Sequence, residues 1–208
     1  MPSLYNRIQG RSLERLAALS DGIFAVAMTL LVLDLHIPTA AQVHSERELI
    51  AALAALGPQW VAYGMSFLTL GIFWAGQQTQ LSHIGQGTRD LTWIHLGFLF
   101  SMTFMPLSTR LLAEFISYRV ALGIYWLNIF IAGAMLYWSW THATHANLIK
   151  ADTPDEVKGS ICRRIVIAQS LYAAGASLCF ISTWVSIAAI VLVQLNYALA
   201  PRLWVRKG

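Results

Sequence analysis

The apolar run from Arg15 to Leu35 carries an arginine, a serine and an aspartate in its first third (Arg15, Ser20 and Asp21), and a second aspartate, Asp34, at its end. A charge inside a membrane span costs about 2.5–3.5 kcal/mol even on insertion scales, so it must face protein or water rather than lipid. Side chains of this kind handle ions: they pair across helices, hold coupling ions or set the field at a pore. Arg15 and Asp21 are six residues apart, which puts them about 120° apart around a helix and prevents pairing within it. Each therefore needs a partner on another helix or subunit, or a place in the hydrated interface. Asp34 stands where an acidic group at a pore mouth would gather cations.

Other chemistry is sparse. There is no Gly-rich phosphate loop and no His-Glu-x-x-His or Cys-x-x-Cys metal spacing. His142-x-x-His145 has no carboxylate or thiolate beside it and reads as an interfacial polar edge. Cys162 and Cys179 fall about 25 Å apart along one helix and read as small hydrophobes. His95 or Asp21 as an intramembrane base would lack a nucleophile or metal to complete a site, so an enzyme, a metal and a cofactor are not expected. The Thr-Val-Gly-Tyr-Gly carbonyl filter is absent, so any ion selectivity must come from side chains.

These residues are positioned by a chain of 208 residues that is 57% hydrophobic and only 12% charged. Soluble domains run at about 25% charged, so the expectation is an all-α integral membrane protein in the lipid bilayer. The net charge of +4 is scattered over loops and forms no patch for nucleic acid. The N-terminal Met-Pro-Ser-Leu-Tyr-Asn-Arg has no short apolar core of a cleaved signal. Six spans are predicted, near 13–35, 58–80, 91–112, 120–140, 162–182 and 184–200, forming one six-helix domain over 1–208. Pro38 closes the first span, Pro58 opens the second, and 39–57 reads as a loop followed by a short amphipathic lead-in.

Six spans put both termini on one side. That side collects Arg7, Arg11, Arg15, Arg89, Lys150, Lys158, Arg163, Arg164, Arg202, Arg206 and Lys207, against Arg47, Arg110 and Arg119 on the other. The positive-inside rule then makes both termini cytoplasmic.

Rotation by about 100° per residue separates the faces of the first span. Leu19, Ile23, Val26, Leu30 and Leu33 form a stripe of large aliphatic side chains, and Ala18, Gly22, Ala25 and Thr29 a stripe of small ones. Small stripes let membrane helices approach closely. Asp21 points away from both, towards Met28 and Val32. On spacing alone the aliphatic stripe also fits ordinary packing in a bundle, with Arg15 snorkelling, Asp21 a buried packing polar and Asp34 a cap.

At Arg15-x-x-x-Leu19-Ser20-Asp21 the sequence resembles the transmembrane protein 175 family of potassium channels, marked by Arg-x-x-x-Phe-Ser-Asp at the start of the first helix. Thr29 to Leu35, Phe67-Leu-Thr-Leu-Gly-Ile-Phe-Trp74 and Leu91 to Pro106 fit as well. The resemblance covers the whole chain as one copy of the repeat that occurs twice in animal members. It implies a homotetramer in which the first helix of each subunit lines a central pore. It also implies potassium as the transported ion, a bacterial inner-membrane location, and a constriction of aliphatic side chains at Val26, Leu30 and Leu33, with Ile23 on the same stripe. Thr29 would bear on selectivity. Arg15, Ser20 and Asp21 would meet the region of Trp74, Gln77 and His95. Leu19 replaces the motif aromatic, Gln77 stands where histidine is usual, His95 where asparagine is usual, and Val26 is smaller than the expected isoleucine or leucine.

The resulting expectation is a passive, potassium-preferring cation channel gated by dewetting of an aliphatic constriction. The alternative is a proton- or ion-coupled secondary transporter with Arg15, Asp21 and His95 as its coupling site.

Overall fold

The computed structural model describes residues 13–199. The expectations placed on Arg7, Arg11, Arg202, Arg206, Lys207 and the last residue of the sixth span lie outside the described residues.

The first helix, α1 (Leu13–Leu33), is continuous. The chain then closes on the start of the second hairpin arm, where the His36 backbone N–H donates to Gln59 Oε1 at 3.1 Å. The lead-in is a helix in its own right, α2 (Glu46–Ala55), with Ser45 as N-cap accepting from Glu48 N. Leu56 separates it from α3 (Gly57–His83), which has Pro58 in its first turn, and the two meet at a 49° bend. Proline there has no N–H to offer the preceding turn, so α2 cannot run on straight.

The third predicted span, 91–112, is two helices, α4 (Arg89–Thr103) and α5 (Met105–Glu114). Phe104 is the break: Pro106 cannot donate to the Met102 carbonyl, and Phe104 N bonds Ser101 O at 3.3 Å instead. The two together still form one stretch long and apolar enough to cross a membrane.

The fourth helix of the expected six, α6 (Arg119–His145), extends five residues past the expected end and includes His142 and His145. Its stop is a Schellman turn: Asn147 takes φ 56, Leu148 N bonds Ala143 O and Asn147 N bonds Thr144 O. Helix α7 (Asp155–Ser177) starts seven residues before the predicted 162, because Pro154 caps it and Asp155 and Glu156 suit its positive N-terminal end. It ends in a short 3₁₀ turn, Leu178–Phe180, before α8 (Thr183–Leu199). Cys162 and Cys179 are both free thiols, the first in α7 and the second in the 3₁₀ turn.

Among the described residues α1, α4 with α5, and α6 are long and apolar enough to span a bilayer, as is the bent α2–α3 pair taken as one. Helix α8 is shorter at 17 residues, and α7 carries Lys158, Arg163 and Arg164 along its first half.

The main core gathers Phe24 of α1, Phe73 of α3, Phe98 of α4 and Leu122, Tyr125 and Ile129 of α6. Through it runs a buried polar seam. Thr109 donates to Ser66 Oγ at 2.6 Å, Ser66 to Tyr125 OH at 3.3 Å, and Gln194 Nε2 to Thr69 Oγ1 at 2.7 Å. Thr69 and Tyr125 are themselves 3.1 Å apart. The seam ties α3, α5, α6 and α8 together where no water competes for the bonds. A second core, with Leu81, Ile84, Leu91 and Trp140, sits at the opposite end.

Candidate functional site

The fully buried residues of α1 form one narrow stripe. Leu16, Ser20, Phe24, Ala27 and Leu31 are buried, at the 4-4-3-4 spacing of a single helical stripe. They pack on α3, α4 and α5. Phe24 meets the Phe98 ring at 6.0 Å, and Phe98 meets Phe73 at 6.0 Å.

Two polar side chains, Ser20 of this stripe and Asp21 beside it, fasten α1 to α3. Ser20 Oγ accepts from Gln77 Nε2 at 2.6 Å and donates to Leu16 O at 2.9 Å. Both Ser20 and Gln77 are fully buried. Asp21 Oδ1 accepts from Trp74 Nε1 at 2.8 Å and from Gln78 Nε2 at 2.7 Å. Gln78 was not among the expected site residues, although it lies four after Trp74 and so on the same helix face. Arg15 is exposed on α1, six residues before Asp21.

His95 belongs to a different set. Its Nδ1 is 3.1 Å from Ser139 Oγ of α6, and its ring lies edge-on to Phe98 at 6.4 Å. A path of ring contacts through Phe98 and Phe24 connects it to α1, whereas Asp21 bonds to α3. The coupling site of the transporter alternative would need the two together.

The aliphatic stripe lies on another side of α1. Val26 is 56% and Leu33 77% exposed, Leu19 and Leu30 are also exposed, and Ile23 is half-buried against the main core. The small stripe of Ala18, Gly22, Ala25 and Thr29 is exposed beside it. A Cβ added at Gly22 would meet nothing within 4 Å. A groove of about 400 Å³ runs along this surface, lined by Leu19, Gly22, Val26 and Leu30 of α1 and closed on one side by Thr103 and Pro106 at the α4–α5 break.

Thr29 Oγ1 donates to the Val26 carbonyl at 2.9 Å. Its proton is thereby committed to the backbone, and the oxygen it turns outward is an acceptor, the polarity a cation requires. Asp34 follows the last residue of α1. Arg110 Nη1 of α5 lies 3.9 Å from its Oδ1, a partner that sequence reading left unassigned.

Apolar helices of these lengths in so short a chain define a multi-pass helical membrane protein. The family described as endosomal/lysosomal potassium channel TMEM175 matches residues 15–106, from Arg15 to the proline at the α4–α5 break. A potassium channel of Chamaesiphon minutus is 30% identical over 190 residues, covering 89% of this chain and 93% of that one. A potassium channel of Streptomyces collinus is 32% identical over 191 residues, covering 88% and 90%. The crystal structure of a lysosomal potassium-selective channel TMEM175 homologue from Chamaesiphon minutus superposes with a TM-score of 0.79 at 27% identity, covering 90% of this chain and 96% of that one. The chain belongs to the TMEM175 family.

Proposed function

We propose that the chain is a potassium-preferring cation channel. On this reading it acts as a homotetramer of one six-span domain over residues 1–208, with both termini cytoplasmic, in a bacterial inner membrane. Potassium moves passively, and no enzymatic step, cofactor or metal takes part. The first helices ring a central pore in which Ile23, Val26, Leu30 and Leu33 form the constriction, Thr29 bears on selectivity and Asp34 sits at the mouth. Ser20, Asp21, Trp74 and Gln77 hold the first helix in place from behind, with Arg15 and His95 as the outer members of the motif network.

The observation that carries this reading is the division of α1 into a buried stripe fastened to α3 and a bare stripe of large aliphatic side chains on another side. A lone anchor helix has no use for such a division. Symmetry mates meeting along the bare stripe would enclose a passage too greasy to wet when narrow, and a small rotation would admit water and ions. The name potassium channel borne by relatives that match nearly the whole chain supports the ion.

Reconstituted protein in mixed potassium and sodium is expected to give a reversal potential displaced towards potassium. Leu30→Ala is expected to raise cation flux several-fold. Flux equal to that of empty vesicles, in wild type and variant alike, would remove the channel reading.

A further inference from the structure

The groove beside the aliphatic stripe ends at Pro106, and Arg110 lies one turn further along α5 on the same face. The Arg110 guanidinium is 3.9 Å from the Asp34 carboxylate, with side chains 58% and 29% exposed. Asp34 therefore has a cation beside it from a different helix. An ion travelling along the stripe past Leu33 would meet the two charges together.

A pair so exposed adds little to stability, so its consequence lies in the field it sets rather than in holding the fold. A ring of bare carboxylates at a narrow mouth raises the local cation concentration over about one Debye length, ~10 Å at 0.1 M salt. A guanidinium beside each carboxylate turns each single charge into a dipole, whose field dies away faster.

We propose that Arg110 is a conductance-setting residue: by partly neutralising Asp34 it limits how strongly the mouth of the pore concentrates potassium. This rests on the pore reading above. Arg110 need not touch the ion; it acts through Asp34.

Single-channel recordings of the full chain in planar bilayers test it, in symmetrical potassium chloride at low and high ionic strength. Arg110→Gln is expected to raise conductance about two- to four-fold at ~20 mM salt and to leave it unchanged at ~1 M, as a screened surface field requires. Arg110→Lys should keep the wild-type value. Asp34→Asn should lower conductance at low salt, and adding Arg110→Gln to it should restore much of the loss, since no net charge then remains. Should Arg110→Gln fold poorly, Arg110→Cys carries the test: a cationic thiol reagent should lower its low-salt conductance and a neutral one of equal size should not. If Asp34→Asn lowers conductance while Arg110→Gln and the cationic reagent change nothing, the inference fails and the pore reading stands. If Asp34→Asn also has no effect, the mouth assignment fails and the inference with it. Wild-type protein passing no current would overturn the pore reading itself.

Discussion

Ser20 shows how a small side chain governs a helix interface. Its hydroxyl is both the acceptor for the Gln77 amide and a donor to its own helix at Leu16. Gln77 Oε1 lacks a hydrogen-bond partner among the described residues, so the bond from Nε2 is the one that fixes the amide. Ser20→Ala would leave that N–H buried and unpaired, at a cost of about 1–3 kcal/mol. The expected result is a lower melting temperature in detergent, partly restored by Gln77→Leu, which removes the orphaned amide as well. Equal melting of wild type and Ser20→Ala would show that the bond does not hold α1 to α3. Asp21 differs in kind. Its carboxylate takes two donors from α3 yet remains exposed, so its removal should tell on α1 placement more than on bulk stability. That Asp21 looks beyond its own helix for partners was legible from its six-residue distance from Arg15. Which donors Asp21 takes was not, since Trp74 and Gln78 become neighbours of α1 only once α3 folds back beside it.

At the scale of elements, proline breaks the third expected span, and a glycine sets one close helix contact. Gly133 of α6 lies under the Gln169 side chain of α7: a Cβ there would stand 1.8 Å from Nε2 and 2.3 Å from Cδ. The amide fills the space a methyl would occupy and donates to the Ile129 carbonyl at 3.4 Å. Gly133→Ala is therefore expected to displace Gln169 and lose that bond, destabilising by about 0.5–1.5 kcal/mol. The same substitution in a Gln169→Ala background should cost much less, and thermal melting of the four proteins of this cycle reads the coupling. Additive costs would show that the two residues do not compete for one space. The apolar runs made the helices themselves readable, and Pro58 marked a start, whereas the first helix stops at Leu33, five residues before Pro38. The break at Phe104 was harder, because Pro106 lies in an apolar run that continues on both sides, and hydropathy does not register a missing N–H. The early start of α7 was hidden for the opposite reason. Asp155 to Ser160 is hydrophilic enough to read as loop, yet its acidic first turn suits a helix N-terminus.

At the scale of the molecule, the division of α1 is what relates the fold to ion conduction. The chain buries one stripe of this helix against three of its own helices and leaves bare the aliphatic and small stripes, where Gly22 has open space beside it. Both exposed stripes were visible in the residue spacing. Which face would be buried was not, since large aliphatic side chains suit a core as well as a pore wall, and Phe24 and Leu31 took the core instead. Cysteine substitution along α1, in protein with Cys162 and Cys179 changed to serine, measures the outcome most directly. Thiol-reactive cations added during potassium current should block at Val26, Leu30 and Leu33 and leave Ala25 and Val32 unaffected. Block confined to Ala25 and Val32, or absent at every position while potassium current flows, would contradict the assignment of the aliphatic stripe to the pore.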